Sequence, residues 1–160
     1  MSSLDRDQSE YDGGGAADRP TAEATGRIGT PKRPGTIAEP LKGMAVLIVE
    51  DEAIINLDLA MTAEAFGARM IVSAHSLEEA RGALEMGQFD IAVLDLSLPD
   101  GDSMPLAEEL HGNGVRIYFY SGDEERTDIL DRFPGAGFVM KPATESAWSD
   151  VFAGLVGSDG

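Results

Sequence analysis

The chain has 160 residues, 42% of them hydrophobic, with 29 acidic and 12 basic side chains and a net charge of -17. This length fits one domain of about 100–150 residues with some chain to spare. The excess of acid argues against direct binding of nucleic acid or of an anionic membrane, since both are bound through Lys and Arg. Because the chain has no cysteine, disulfides, thiolate zinc sites and a cysteine nucleophile are excluded. Neither a signal peptide nor an apolar run of about 18 residues is present, so we expect a soluble, cytoplasmic protein.

The first 42 residues differ in composition from those that follow. They contain a run of three glycines at 13–15, four of the eight prolines and almost no large apolar side chains. Such a segment cannot bury enough surface to offset the entropy of ordering, so we predict a disordered leader over residues 1–42. We predict one folded domain over residues 43–157 and a short tail over 158–160. The domain holds most of the acids, and its only lysine is Lys141.

Five short apolar runs alternate with helical patterns along the domain. The runs are typical of strands buried in a parallel sheet, and they lie at residues 44–49, 70–72, 91–94, 115–120 and 138–140. Between these runs, apolar residues spaced three and four positions apart predict helices. The three sets are Ile54, Leu57, Met61 and Ala65; Leu77, Ala80 and Leu84; and Ala147, Val151 and Leu155. Shorter helices are predicted around 104–111 and 124–133. The alternation predicts an α/β domain with a doubly wound parallel sheet and right-handed crossovers.

Two local signals refine the predicted helices. Ser76 with Glu79 forms a capping-box sequence at the start of the second helix. Trp148 and Phe152, on the last helix, are interpreted as core residues rather than as an interface.

Charged and hydroxyl side chains follow the predicted strands, where ligand sites of doubly wound sheets lie. Glu50 and Asp51 follow the first strand, Asp95 the third, Ser121 the fourth and Lys141 the fifth. Carboxylates brought together at one sheet edge repel each other, and a hard divalent cation such as Mg²⁺ relieves that repulsion while leaving room for phosphoryl oxygens. Lys141 supplies a further positive charge.

This set of groups suggests phosphoryl transfer to an aspartate. Asp95 is the best candidate nucleophile, because it is the lone acid at the end of the central strand. Glu50 and Asp51 are the candidate metal-binding acids, while Lys141 and Ser121 are placed to pair with the phosphoryl oxygens.

Each of these residues also has an ordinary interpretation. An acidic run after a strand is often a solvated turn, and Asp95 could simply open a polar loop. Ser121 could cap a helix together with Glu124, and Lys141-Pro142 could be ordinary strand punctuation. The combination, in this order at the ends of successive strands, is far more specific than any one member.

Residues 43–156 resemble the receiver domain of two-component response regulators. The resemblance rests on four segments, which are VLIVEDE at 46–52, VLDLSLPDG at 93–101, Ser121-Gly122 and FVMKP at 138–142. It implies a CheY-like, flavodoxin-like fold, whose five parallel strands are ordered 2-1-3-4-5 and accompanied by about five helices.

The resemblance also implies a chemical role for each site residue. Asp95 is expected to accept a phosphoryl group from a phosphohistidine on a sensor histidine kinase or a histidine phosphotransfer protein. Asp51 and Asp95 are expected to hold Mg²⁺, with Glu50 acting mainly through water and the backbone carbonyl of Ser97 as a further ligand.

A conformational switch is implied as well. In the family, a Ser or Thr moves toward the phosphoryl group and an aromatic side chain fills the vacated space. The corresponding residues here are Ser121 and Phe138, so that a new charge biases a two-state element. The alternative for Phe138 is a static core aromatic.

The sequence departs from the family pattern at several positions. Ser103 stands where receivers usually carry Gly, and the interval from Asp95 to Ser121 is a few residues short. Residues 119–122, Phe-Tyr-Ser-Gly, partly resemble the Phe-Ala-Thr-Gly segment of a group of stand-alone alphaproteobacterial receivers, with Tyr120 in place of Ala. Membership of that subgroup is a hypothesis.

Three functions are compatible with these patterns. The first is a single-domain response regulator, a signalling phosphoacceptor rather than an enzyme, which acts on a protein target or a relay because only four residues follow the last predicted helix. The second is a magnesium-dependent phosphatase with an aspartate nucleophile, which is disfavoured because Ser97 stands where a second Asp is needed. The third is a receiver-like binding module that is never phosphorylated, although it has no need of the four site groups.

Overall fold

Seven strands and five helices are formed by residues 38–123 and 128–156, the parts of the chain that the computed structural model describes. Most of the predicted leader, the predicted tail and Glu124, with its possible capping role, lie outside the described residues. The strands are β1 (Ala45–Val49), β2 (Met70–Ala74), β3 (Ile91–Asp95), β4 (Ser97–Leu98), β5 (Gly101–Asp102), β6 (Arg116–Ser121) and β7 (Gly137–Met140). The helices are α1 (Ala53–Ala65), α2 (Leu77–Met86), α3 (Met104–Gly112), α4 (Ile129–Arg132) and α5 (Glu145–Val156).

Five of the strands form one parallel sheet in the order β2-β1-β3-β6-β7. Counted along these five strands, the order is the expected 2-1-3-4-5, so the predicted doubly wound fold is confirmed. All five strands predicted from apolar runs are present within a few residues of their expected bounds. The sheet therefore brings the ends of β1 and β3 together, because these two strands are neighbours.

A small antiparallel hairpin, β4 paired with β5, follows β3 and was not predicted. Its strands have two residues each, which is too short to produce a periodic pattern. Gly101 adopts a φ of +142° in it, a backbone conformation that side chains other than hydrogen disfavour.

The core lies on both faces of the parallel sheet, which explains the continuous apolar runs. Along β1, Ala45, Leu47 and Val49 face one cluster, while Val46 and Ile48 face the other. The second cluster includes Trp148 and Phe152 of α5, which are 2% and 3% exposed. Their predicted place in the core is confirmed.

Helix α1 carries apolar side chains on two of its faces. Leu59 and Ala63 are buried and belong to the core, together with Phe66 just after the helix. Ile54, Leu57 and Met61 face solvent with exposed fractions of 85%, 62% and 60%, and we call these three the α1 outer stripe. The predicted helix is confirmed, but the apolar spacing that revealed it belongs to its solvent-facing side.

Helix α2 begins with the predicted capping box. The Ser76 hydroxyl accepts a hydrogen bond from the Glu79 N–H at 3.1 Å, and the Glu79 carboxylate accepts one from the His75 N–H at 2.7 Å. The reciprocal bond thus reaches His75 rather than Ser76, and it satisfies a backbone donor just ahead of the helix.

Packing of the domain begins before Gly43. Leu41 is fully buried in the second core cluster, and its N–H donates to the Phe66 carbonyl at 3.0 Å. Gly67, which follows Phe66, has a φ of +89°, and a Cβ there would lie 3.0 Å from the Glu39 Cβ. The last residues of the predicted leader therefore contact the domain. Among the described residues, no helix has the length and apolar character needed to cross a membrane.

Candidate functional site

The carboxylates of Glu50, Asp51 and Asp95 meet at the carboxyl edge of the sheet. Val49 and Leu94 are paired in register, so the residues that follow them leave neighbouring strands side by side. One carboxylate oxygen from each of the three acids lies within 4.8 Å of the others. Glu50 and Asp95 are buried, with exposed fractions of 1% and 6%, whereas Asp51 faces solvent. The predicted acidic cluster is therefore formed, and one of its acids faces solvent.

Lys141 reaches this cluster from the end of β7. Its ammonium Nζ lies 2.7 Å from Glu50 Oε2 and 3.0 Å from Asp95 Oδ2. The bond to Asp95 has hydrogen-bond geometry, whereas the contact with Glu50 is close without a directed hydrogen bond, which leaves Glu50 Oε2 without a well-aligned donor. Because charges buried without partners are strongly disfavoured, Lys141 is what allows two carboxylates to be buried here.

Hydrogen bonds fix both carboxylate oxygens of Asp95. Oδ2 accepts from the Lys141 ammonium, and Oδ1 accepts from the backbone N–H of Ser97 at 3.0 Å. Ser97 is the first residue of β4, so the unpredicted hairpin helps to hold this carboxylate in place. The Glu50 carboxylate is held similarly, because its Oε1 accepts from the Glu52 N–H at 3.1 Å.

Burial and pairing shift two pKa values at this site. Burial raises the pKa of Glu50 above its usual value, and the opposing contact with Lys141 does not cancel this shift. Burial alone would lower the pKa of Lys141, but the contacts with Glu50 and Asp95 outweigh it and raise the net pKa. Lys141 therefore remains a cation at neutral pH.

Ser121 ends β6, one residue beyond the position paired with Asp95. Its hydroxyl accepts a hydrogen bond from the Asp123 N–H at 3.2 Å, and its carbonyl accepts one from the Lys141 N–H at 2.9 Å. Ser121 is thus tied to Lys141 through the backbone. Phe138 lies on β7 and packs, partly buried, against the first core cluster.

Residues 46–150 match the family model of the response regulator receiver domain. The chain belongs to the response regulator receiver family. The transcriptional regulatory protein PdtaR of Mycobacterium tuberculosis is 28% identical to this receiver over 112 residues, which are 68% of this chain and 55% of PdtaR. The chain therefore spans about half the length of that relative.

Several solved structures share the fold of this chain. A two-component response regulator from Clostridium difficile superposes with a TM-score of 0.64 at 21% identity, covering 72% of this chain and 97% of that one. The receiver domain of PhyR from Erythrobacter litoralis gives a TM-score of 0.64 at 24% identity, covering 73% and 92%. SdrG from Sphingomonas melonis Fr1 gives 0.59 at 27% identity, covering 71% and 97%.

The charge balance of the receiver site fits a divalent cation. Three carboxylates and one ammonium leave a formal charge of about -2 when all are ionised. Hard oxygen donors are the ligands that Mg²⁺ prefers, and a site with one exposed acid leaves room for the waters that Mg²⁺ retains.

Asn56 is a site-positioning residue that the sequence did not reveal. It is 1% exposed, and its side-chain amide donates to the carbonyls of Glu50 at 3.0 Å and Ala74 at 3.1 Å. It therefore ties the end of β1 to the end of β2 beneath the acidic cluster. A polar residue between apolar ones on α1 was the only signal, and such residues are usually solvent-facing.

Asp100 lies in the turn between β4 and β5. Its two carboxylate oxygens accept from the N–H groups of Leu77 at 2.9 Å and Glu78 at 3.1 Å, the first two residues of α2. These hydrogen bonds, led by the one from Leu77, hold the pKa of Asp100 below its usual value. The segment after Asp95 is therefore anchored to α2.

Proposed function

We propose that Asp95 is the phosphoacceptor of this receiver. A carboxylate oxygen of Asp95 attacks the phosphorus of a phosphohistidine, the new P–O bond forms as the P–N bond breaks, and the electron pair returns to the imidazole nitrogen. The product is an acyl phosphate on Asp95. The protein acts as a signalling phosphoacceptor. Water slowly attacks the phosphorus of the acyl phosphate, which releases inorganic phosphate and returns Asp95 to the free carboxylate.

The observation that carries this proposal is the position of Lys141. Its ammonium contacts both buried carboxylates from one side, where it can neutralise the charge that accumulates on a transferred phosphoryl group. A scaffold with no chemistry gains little from burying two acids beside a partly buried lysine, because an apolar set of similar volume is often at least as stable.

We infer that Asp51 and Asp95 hold Mg²⁺, with Glu50 acting through water and the Ser97 carbonyl as a further ligand. When bound, the ion draws charge from the phosphoryl oxygens and orients them. The chain's own groups orient Asp95, through Lys141 and the Ser97 N–H, so that one carboxylate geometry is presented to the donor.

The phosphodonor is proposed to be a sensor histidine kinase or a histidine phosphotransfer protein, and the α1 outer stripe is its proposed docking surface. Helix α1 starts at Ala53, two residues after Asp51, whose carboxylate lies within 4.8 Å of that of Asp95, so a protein seated on Ile54 and Leu57 would lie beside the site. A row of exposed apolar side chains on one helix face is typical of protein-binding surfaces.

Ser121 and Phe138 are proposed to form the switch that reports phosphorylation. Both side chains lie on the same face of the sheet, because Ser121 pairs with Met140 and Phe138 stands two residues before Met140 on β7. Output then passes to a protein target or along a relay in the cytoplasm, without direct DNA binding. Membership of the Phe-Ala-Thr-Gly subgroup stays a prediction.

Intact-mass spectrometry tests the proposal directly. The protein is incubated with Mg²⁺ and acetyl phosphate, and we expect one phosphoryl group per chain that is absent from Asp95→Asn. Beryllofluoride with Mg²⁺ is expected to shift the backbone NMR signals of Ser121 and Phe138. Asp150→Asn, which changes an exposed aspartate on α5, is the matched control and should label as wild type does.

Three other results would contradict the proposal. Labelling of Asp95→Asn at the wild-type rate overturns the assignment of the phosphoacceptor. Rapid multiple turnover of phosphate monoesters indicates the phosphatase instead. If the wild-type protein neither binds Mg²⁺ nor is labelled, the protein is a receiver-like binding module that is not phosphorylated.

A further inference from the structure

Tyr120 occupies the strand position next to Asp95. The two residues are paired in register between β3 and β6, and Tyr120 is paired with Val139 of β7 on its other side. Residues paired across parallel strands face the same side of the sheet, and so does Lys141, two residues after Val139. The Lys141 side chain therefore has to pass the Tyr120 ring to reach Asp95.

The Tyr120 ring contacts the ammonium of Lys141. Nζ lies over the ring at 5.2 Å from its centroid, within the range of about 6 Å in which the π face attracts a cation. The same ammonium contacts Glu50 and Asp95. The cation is thus held between two carboxylates and one aromatic face.

Two contacts fix the orientation of the ring itself. Tyr120 is 4% exposed, and its ring packs edge to face with Trp148 at 5.2 Å between centroids. Its hydroxyl oxygen accepts a hydrogen bond from the Ala143 N–H at 3.2 Å. Because Ala143 comes two residues after Lys141, Tyr120 holds both the ammonium and the backbone segment that follows the lysine.

We propose that Tyr120 is a positioning residue that sets the location of the Lys141 ammonium. A π face attracts a cation that lies over it, so the ring favours positions of Nζ between its own face and the two carboxylates. The effect on labelling rests on the function proposed for Asp95, whereas the placement of Lys141 does not.

Lysine NMR provides a direct readout, because the chain has only three lysines, Lys32, Lys42 and Lys141. With ¹³C-labelled lysine, the Cε–Hε signal of Lys141 is assigned by its loss in Lys141→Arg. An aromatic ring over Nζ shifts this signal through its ring current. We expect Tyr120→Leu to move the signal toward that of an ordinary lysine and Tyr120→Phe to leave it near the wild-type position.

The second readout is the rate of labelling by acetyl phosphate at saturating Mg²⁺. We expect Tyr120→Leu to slow labelling about 3- to 10-fold, which corresponds to the loss of one partly desolvated cation–π contact. Tyr120→Phe should restore most of the rate, because it keeps the ring and loses only the hydroxyl.

Tyr118→Leu is the matched structural control. Tyr118 is buried on the same face of β6, where its ring contacts Phe152 at 5.3 Å. The same substitution there removes a similar core ring, so it should lower the melting temperature to a similar degree without moving the Lys141 signal.

The proposal is wrong if Tyr120→Leu and Tyr118→Leu give the same Lys141 signal and the same labelling rate. It is also wrong if Tyr120→Phe behaves as Tyr120→Leu does, since the hydroxyl and not the ring would then matter. If wild-type protein is not labelled at all, the function proposed for Asp95 fails, and the Lys141 signal then tests only the contact between the Tyr120 ring and the lysine side chain.

Discussion

The end of β1 and the outer face of α1 lie four residues apart in the chain, and each reverses the usual distribution of side chains. Glu50 is a carboxylate with 1% exposure, whereas Ile54 is a large apolar side chain with 85% exposure. Charged residues are seldom fully buried without partners, while single exposed apolar residues are common. The buried Glu50 is therefore unusual by itself. The exposed Ile54 indicates a binding surface only because Leu57 and Met61 extend it into a row of exposed apolar side chains.

The two regions differ in how their free-energy cost is offset. At the sheet edge, Lys141 contacts both buried carboxylates, so their negative charge is partly compensated within the same chain. On α1, the described residues offer no cover for the stripe, and its apolar surface remains in contact with water. We infer that the acidic cluster binds small charged species, whereas the α1 outer stripe beside it binds another protein.

Removing Lys141 should break the first region most severely. We expect Lys141→Ala to slow labelling of Asp95 by acetyl phosphate about 100-fold, because it deletes a preorganised cation aimed at the transferred group. The rate is measured by intact mass at saturating Mg²⁺. Lys42→Ala, which changes an exposed lysine at the start of the domain, serves as the control, and an unchanged rate in Lys141→Ala would exclude the proposed role.

Neutralising Glu50 should weaken the metal site while leaving the nucleophile in place. We expect Glu50→Gln to lower the Mg²⁺ affinity about 10-fold, as loss of an outer ligand partner commonly does. Since burial raises the pKa of Glu50, the same variant should be no less stable than wild type without metal. Mg²⁺ titration by NMR and urea unfolding check the two parts, and a wild-type affinity would place Glu50 outside the metal site.

Introducing a charge on α1 should break the second region alone. We expect Leu57→Glu to slow phosphotransfer from a phosphohistidine-bearing kinase domain about 5- to 10-fold, the loss typical of one central interface side chain. Labelling by acetyl phosphate should be unchanged, because this small donor needs no docking surface. Met86→Glu, at another apolar residue with 88% exposure, is the control, and equal losses in both variants would argue against the stripe.

The smallest effect is expected at Asp100, an exposed carboxylate paired with backbone N–H groups. Hydrogen bonds, first of all the one from the Leu77 N–H, lower the pKa of Asp100 in the folded state. The ionised carboxylate therefore stabilises the fold at pH values above its ordinary pKa of 3.8. That contribution is lost as the pH falls through the folded-state pKa. We therefore expect the free energy of unfolding to fall less between pH 6 and about pH 2 in Asp100→Asn than in wild type, and parallel curves would contradict this.

The sequence predicts the sheet and the site well for a common physical reason. Strands buried on both faces must be continuously apolar, so the runs at 44–49 and 91–94 were visible, and the residues after them had to meet at one edge. The clustering of Glu50, Asp51 and Asp95 follows from this topology. The contact of Lys141 with two of them needs only a long side chain at the end of β7.

Other features depend on contacts that leave no pattern in the sequence. The β4–β5 hairpin has no periodicity, and Asn56 resembles any polar helix residue until its amide is seen between two strand ends. On α1, two apolar sets share similar spacings, so periodicity detected the helix but did not tell which set, that of Leu59 or that of Leu57, packs inward. Tyr120 was visible only as a departure from a family pattern.

The burial of Leu41 determines where the chain can be shortened. A fragment beginning at Gly43 would remove a fully buried leucine and its backbone hydrogen bond to Phe66, a loss comparable to a large core truncation of about 2–5 kcal/mol. A fragment beginning at Ala38 keeps both contacts. The role of the residues before Ala38 should therefore be tested with the fragment that begins at Ala38. A fragment that begins at Gly43 also damages the core, so its loss of function could not be assigned to the missing leader.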